Sequence, residues 1–552
     1  MKRILALILA VVAAFACVSC GDQSSSTNME ASKVGAPDYS NSDKKLNMYA
    51  FLGPTSGTYV TANGTTVVGE DNRTKERYKE YKDCGFDVLL LLGNADLYAG
   101  SDRFTVVTDE NKDDLIAAET EYYEKNRLNV TLDICNEIDL KTIVFDDRVH
   151  QLTTVEQSII KEEGKDAQPI IAHTSNNSRL VAPFDESVVF YDEPQVKNGQ
   201  TIYGTYNNVY DIVNVRYQFE NEQDLQNTLS VWMSAYSKEE CFYGMSMFDE
   251  PGNAKLKALG QVDKAIEAVK PGTFVQTCLL PYYGGNSNIL SVKDPKAFTE
   301  YVNLYLDETQ SEYFGYDFYP MLKNGEKTTL MATYLNCLQM SAEMARENNV
   351  DWEIIIQTYA QSGALRKNTE ADVDMQVNLA LAFGAYNIGY FTYWMWENIS
   401  GWTDYFAIMD SDGSKLLYDE VKKVNSEAKE LAKIILNYKY EKTKLTYMDV
   451  SAPVWYKGVV ESELDNVKSF ESNGNTLVNQ MYDAGNDCRG YMIVNVSDPA
   501  NQNVSTNTIT FDGYDNVMLV RNGVTNYYKL NNGSISIILE EGESAFLIPY
   551  NN

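Results

Sequence analysis

Phe242-Tyr243-Gly244-Met245-Ser246-Met247-Phe248-Asp249-Glu250-Pro251 is an apolar run that ends on two adjacent carboxylates and a proline. The seven residues from Phe242 to Phe248 are apolar or small and carry no charge. Both faces of the run therefore suit burial, as in a parallel strand. The proline has no backbone donor and stops further pairing. A strand of this kind opens at its carboxyl end onto the face where barrel enzymes gather reactive groups, which makes the two acids functional candidates. The competing reading is that Asp249 or Glu250 caps the helix expected over 252–270, because acids suit helix N-termini.

The neighbouring segments repeat the pattern. Short apolar runs at 46–52, 87–92, 142–145, 242–248, 273–280, 313–316, 353–356 and 388–393 alternate with amphipathic helical stretches. One such helix carries Met331, Leu335, Leu338, Ala342 and Ala345 on a single face. Each run stops at a polar, turn-forming or aromatic cluster: Gly93-Asn94, Asp146-Asp147, Pro281-Tyr282-Tyr283, Asp317-Phe318-Tyr319-Pro320, Gln357-Thr358-Tyr359 and Trp394-Met395-Trp396-Glu397. Eight strand–helix units predict an elaborated (β/α)8 TIM barrel over 45–444. An irregular insertion lies near 151–219. Inside it, Val188-Val189-Phe190-Tyr191-Asp192-Glu193-Pro194 imitates the opening stretch, but Gln195–Gly199 reads as a turn rather than a helix start, so Glu193 is set aside. From Leu445 the texture changes to short runs between Gly, Asn and Asp turns, which predicts a small C-terminal antiparallel β-sandwich over 445–552.

The composition excludes several chemistries. The chain has 552 residues, with 78 acidic against 46 basic side chains and a net charge of −32, so nothing offers to neutralise phosphates and nucleic acid is not expected as a partner. Only His150 and His173 are present, too few for His-rich metal chemistry or much choice of a Ser-His-Asp triad. No metal and no cofactor is expected. The 39 tyrosines suit stacking on sugar faces and equally suit a large core. Cys84, Cys135, Cys241, Cys278, Cys337 and Cys488 are scattered without metal spacing, and the four in apolar surroundings (84, 241, 278, 337) read as free buried thiols.

At the N-terminus, Lys2 and Arg3 precede an apolar run over 4–16 that is too short to span a bilayer comfortably. Val18-Ser19-Cys20-Gly21 resembles the lipobox of bacterial lipoproteins, with Cys17 where leucine is usual and itself an alternative anchor. The resemblance implies a signal peptide over 1–19, a lipid on Cys20, and attachment at the bacterial cell surface or periplasm through that anchor only. The polar stretch over 20–44 reads as a flexible tether.

With the strands placed, the chain resembles the clan A glycoside hydrolases, near the β-galactosidase-like barrels with a trailing β-domain. The motifs behind the resemblance are short. In that clan the acid/base glutamate follows strand four, commonly as Asn-Glu; here Phe248-Asp249-Glu250-Pro251 stands there, with Asp249 in place of Asn. The resemblance implies a carbohydrate substrate, Glu250 as general acid and Asp249 as a substrate contact. The clan's nucleophile follows strand seven, where this chain has Gln357, and Glu353 lies at the strand's other end. Glycosidic cleavage needs a second carboxyl beside the acid, so Asp317 and Glu397 are the candidates, each with a turn-forming or solvent-facing role as the alternative. Asn94, Tyr283, Tyr319, Gln357, Trp394 and Trp396 are the expected substrate contacts, the aromatics being equally suited to barrel packing. Two other readings stay open: a barrel that binds glycans without cleaving them, and a hydrolase or lyase of another bond on the same fold.

Overall fold

The structure is a computed structural model. It describes residues 29–552 apart from 55–57, 61–65, 93–106, 147–148, 150–169, 174–193, 198–199, 206–207, 215–220, 284–291, 326, 362–363, 396–405, 448–455 and 502. The eight apolar runs form eight parallel strands: β1 (Asn47–Ala50), β2 (Val88–Leu92), β3 (Lys141–Phe145), β4 (Phe242–Asp249), β5 (Phe274–Leu279), β6 (Tyr313–Phe318), β7 (Asp351–Gln357) and β8 (Asn387–Phe391). They pair in sequence order, and β1 closes on β8 from Asn47↔Asn387 to Ala50↔Tyr390. A helix follows each strand: α1 (Lys75–Asp83), α2 (Leu128–Ile138), α3 (Glu222–Trp232), α4 (Asn253–Val269), α5 (Pro295–Thr309), α6 (Tyr334–Asn348), α7 (Glu370–Ala382) and α8 (Tyr418–Ile435). The expected TIM barrel is the observed fold.

Alternation along the strands divides the core in two. Outward residues such as Ile354, Ile356 and Ile388 pack under the helices. Inward residues fill the barrel: Tyr49, Val88, Leu90, Ile143, Cys278 and Ile355, with Phe51, Tyr243, Phe274 and Phe391 packed against them. The stripe read on α6 is the buried one, with Leu335, Leu338, Ala342 and Ala345 all enclosed. Helix α7 has no stripe because ten of its thirteen residues are buried. It lies between the barrel and the C-terminal sheet, so it is enclosed almost all round, its buried Asp372, Gln376 and Asn378 being hydrogen-bonded.

The C-terminal part is a two-sheet sandwich. Its strands are β9 (Lys439–Thr446), β10 (Val467–Ser472), β11 (Thr476–Asp483), β12 (Cys488–Asn495), β13 (Ser505–Phe511), β14 (Asn516–Arg521), β15 (Val524–Lys529), β16 (Ser534–Leu539) and β17 (Ser544–Tyr550). Six make one antiparallel sheet in the order β9-β11-β12-β17-β14-β15, and β10-β13-β16 make the other. Residues such as Val478, Ile493, Ile509 and Leu547 fill the space between the sheets. The other face of the larger sheet, through Leu477, Met492, Val520 and Phe546, is continuous with the core around the barrel helices.

Buried polar contacts tie the two parts together. The Arg366 guanidinium donates through Nη2 to Asp372 and to Asp498 of the sandwich, each at 2.7 Å, and all three side chains are almost fully enclosed. Asn479 donates to the Ala382 carbonyl at 3.0 Å, and Ser544 donates to Asn378 at 2.7 Å.

Two expectations need correction. Residues 29–44 do not behave as a free tether. Ala31 donates to the Tyr527 carbonyl at 3.1 Å, Tyr550 donates to the Ser32 carbonyl at 2.6 Å, and the Tyr39 hydroxyl reaches Tyr438 at 2.6 Å and Asp483 at 2.9 Å. This segment borders the edge strand β15 and so covers backbone groups that would otherwise lie open. In the insertion, the stretch read as a turn after Pro194 begins with a strand, Pro194–Lys197, the outer member of a four-stranded antiparallel sheet with Ile170–His173, Gln200–Thr205 and Asn208–Asn214. Glu193 and Cys20 lie outside the described residues.

Candidate active site

The carboxyl ends of the barrel strands form one mouth, and β4, β5 and β6 bring the acids there together. Strict alternation from the inward Ser246, whose hydroxyl donates to Gln276 at 2.7 Å, would point Phe248 inward and Asp249 away. The strand does not alternate strictly. A bulge between Ser246 and Phe248 adds one residue, so that Ser246 is level with Gln276 and Asp249 with Cys278 of β5. The bulge re-aims the strand end and brings Asp249 into line with the inward thiol, a common use of bulges beside active sites.

Glu250 then leaves the strand with φ +48°, its N–H donating to the Cys278 carbonyl at 2.8 Å. The Pro251 carbonyl accepts from the Tyr301 hydroxyl of α5, which pins the turn. Helix α4 takes Gly252 as its N-cap without any side-chain cap bond, so neither acid serves as the cap. The left-handed residue ends the alternation of the strand. Both carboxyls act electrostatically on the Cys278 thiol.

Asp317, near the end of β6, completes the cluster. Only 8% of it is exposed, and the Cys278 thiol donates to its Oδ1 at 3.5 Å. Burial first, and then the charge of Asp249, push its carboxyl up to about 6, offset in part by Tyr319 and Cys278. Asp249 opens to solvent, yet the surrounding strand ends desolvate it enough to raise its proton affinity as well. The charge of Asp249 thus favours the protonated form of Asp317.

Aromatics wall the site. Tyr283 packs its ring 5.5 Å from Phe318 and feels the charges of Asp317 and Glu250; with burial as the larger cause, these hold its hydroxyl protonated. Tyr319 lies 5.6 Å from Phe391 and 6.4 Å from Tyr359, ring centre to ring centre. Tyr283 and Tyr319 are half-buried and reach the mouth.

Below the mouth the barrel is polar on one side. Glu353 of β7 is level with Gly315 and Asn387, is 1% exposed, and accepts from the Tyr49 hydroxyl at 3.2 Å. Burial pushes its carboxyl up to about 7, against the opposing effect of Tyr49, Gln276 and Asn387.

Two expected contacts do not line the site. Gln357 is completely enclosed. Its Oε1 accepts from Met321 N–H at 2.9 Å and its Nε2 donates to the Tyr359 carbonyl at 3.0 Å, so the amide fastens the β6 and β7 loops to each other. Trp394 is 2% exposed beneath the Arg77 guanidinium, which lies 5.6 Å over its ring, and it serves packing rather than an open stacking face. Asn94, Trp396 and Glu397 lie outside the described residues. Cys278 and Tyr359 were not expected at the site. The signal for Cys278 was its place in 273–280 two residues after Gln276, on the same face of the strand. Among the described residues no group of three or more His, Cys, Asp or Glu side chains is arranged to hold a metal ion, and no helix is long and apolar enough to cross a membrane.

No family model and no curated protein matches the chain. Solved structures similar to it include a family 27 β-L-arabinopyranosidase from Geobacillus stearothermophilus in complex with arabinose, at 9% identity over 93% of this chain and 98% of that one, with a TM-score of 0.43. A family 5 glycoside hydrolase from Bacteroides vulgatus is similar at 7% identity over 92% and 89%, with a TM-score of 0.47. The endo-β-1,4-mannanase from Thermotoga petrophila is similar at 11% identity over 83% and 92%, with a TM-score of 0.34. At these identities no residue role and no substrate passes from those proteins to this chain.

Proposed function

We propose that the protein is a glycoside hydrolase acting on oligo- or polysaccharide, with Asp317 as proton donor and Asp249 as its ionised partner. The observation that carries the reading is the Asp249–Asp317 pair, two carboxyls at the ends of β4 and β6 on either side of Cys278, in which burial and the charge of Asp249 raise the proton affinity of Asp317. Hydrolysis of a glycosidic bond requires such a pair, one member holding a proton and the other a charge. In the proposed reaction Asp317 gives its proton to the departing oxygen as the anomeric carbon–oxygen bond breaks. The Asp249 carboxylate faces the positive charge that develops on the anomeric carbon. Water then adds its hydroxyl to that carbon and returns a proton to Asp317. Glu250, given the acid's role from sequence, becomes in this reading a third carboxyl at the rim that binds sugar hydroxyls, with Tyr283 and Tyr319 as stacking faces. The resemblance of residues 18–21 to a lipobox supports anchoring through Cys20, with the substrate met outside the cytoplasm.

Asp317→Asn and Asp249→Asn test the chemistry on aryl glycosides of graded leaving-group acidity. Asn at 317 is expected to slow poor leaving groups by about 10²–10⁴-fold, the worth of a positioned acid, and good ones much less. Asn at 249 should slow both. Equal loss at 317 across the series would remove Asp317 from the acid's role. A second reading, glycan binding without cleavage, draws on Gln357, which leaves the end of β7 without a carboxylate. Binding of oligosaccharides with no turnover by wild type on a broad panel would favour it.

A further inference from the structure

We propose that Cys278 is the positioning residue of this site, its thiol orienting the Asp317 carboxyl through an S–H···O hydrogen bond. The argument starts from register. Cys278 of β5 stands level with Asp249 on one side and Gly315 on the other, two residues below Asp317 on β6. The thiol is therefore the one side chain of β5 set between the two acids, and it reaches Asp317 Oδ1 at 3.5 Å. Beneath it the barrel is packed with Tyr49, Val88, Leu90, Ile143 and Ile355, and the thiol's other acceptor, the adjacent Leu279 carbonyl, is farther at 3.9 Å.

The same surroundings exclude a nucleophilic role. A thiol attacks as thiolate, which needs a cation, a helix N-terminus or a metal nearby. Cys278 instead has burial and the charges of Asp317, Asp249 and Glu250, all of which hold the proton on sulfur. What remains is a neutral, weak donor fixed between carboxyls. Weakness is useful here. An oxygen donor in the same place would stabilise the carboxylate more strongly and pull Asp317 away from the protonated form that an acid needs.

The titratable groups that face Asp317 are Asp249 and Glu250 at the end of β4, Cys278 on β5, Tyr283 after it, and Tyr319 after β6. On β7 its level neighbour is Ile355, which does not titrate. Replacing the thiol therefore changes one donor in an otherwise acidic and phenolic shell.

Cys278→Ala and Cys278→Ser are expected to shift the titration of Asp317 in opposite directions. Removing the donor raises it; a hydroxyl, the stronger donor, lowers it, each by about half a pH unit or more, as the loss or gain of a modest hydrogen bond implies. Two readouts are needed. The basic limb of the kcat/KM profile should move up with Ala and down with Ser, and this arm rests on the hydrolase reading. Difference infrared titration of the carboxyl band, each protein minus its Asp317→Asn counterpart, reports the same shifts without substrate. Opposite shifts in the infrared with no turnover on any glycoside would sustain the positioning role and sink the hydrolase reading. Turnover with an unmoved or same-direction shift in both variants would overturn the positioning role. If the Ala variant does not fold, an unmoved or upward shift with Ser alone overturns it.

Discussion

Replacing Glu353 with Gln should stabilise the protein at alkaline pH and leave it nearly unchanged in acid. Glu353 lies inside the barrel at 1% exposure, and Gly315 opposite leaves the room for it; a Cβ on Gly315 would come within 2.2 Å of Glu353 Cγ. Burial raises its carboxyl from 4.5 to about 7. In the unfolded chain the group ionises from about pH 4.5; in the folded barrel it keeps its proton until about 7. The folded state binds more protons in that window, so stability falls as pH rises from about 4.5 through about 7, and the full cost persists above it. The difference of 7 − 4.5, about 2.5 units, corresponds to on the order of 3 kcal/mol. Gln keeps the acceptor for Tyr49 and removes the charge. The assay is denaturant unfolding of wild type and Glu353→Gln at pH 4.5 and pH 8.5. Asp317 and Asp374, pushed up to about 6 and about 8, tilt both proteins the same way, so the gap between the two isolates Glu353. The variant should gain about 3 kcal/mol over wild type between the two pH values. A gap that stays constant, or one that favours wild type at pH 8.5, would show that Glu353 is ionised and held by its hydrogen bonds.

Arg366→Met leaves Asp372 and Asp498 buried without their cation and should cost about 3–5 kcal/mol in unfolding free energy; Lys444→Met, at an exposed pair with Glu463, should cost less than about 1 kcal/mol. Equal costs would mean that the Arg366 cluster is not the tie between barrel and sandwich. Cys20→Ser should move the protein from the membrane fraction to the medium; retention in the membrane, with release by Cys17→Ser, would give the anchor to Cys17.

The barrel was legible because its strands are short apolar runs that end abruptly, and all eight lie where those runs fall. The sandwich was legible as the change of texture after Leu445, but not every strand of it was. Strand β9, Lys439–Thr446, has three lysines and one glutamate in eight residues, yet Tyr440, Thr443 and Leu445 are buried. It is an edge strand, and exposed charges there protect the edge from further pairing. Strand β11 buries Asn479 and Gln480, which look like turn residues in sequence, because Asn479 donates to the Ala382 carbonyl and Gln480 binds Asp465. Tertiary partners turn polar residues into core, and no local pattern announces them.

The site divides in the same way. That β4 ends in a cluster of acids followed from charge at the end of an apolar strand, but which acid faces the mouth depended on one extra residue in the ladder. A bulge leaves no mark in composition; it is set by how Ser246 meets Gln276 and Asp249 meets Cys278 across two strands. Alternation counted along β4 alone assigns Phe248 to the interior and lets Asp249 pass as Glu250's neighbour. Counted against β5, it places Asp249 beside the thiol, where its charge acts on Asp317. The same holds for Gln357: its place at the end of β7 suggests a ligand contact, while its amide is already engaged by Met321 and Tyr359. Strand-end residues of a barrel are therefore assigned by the partner strand and the adjoining loops; the acid proposed above, Asp317, is chosen because its neighbours raise its proton affinity, whereas Glu250 was chosen by its place in a motif.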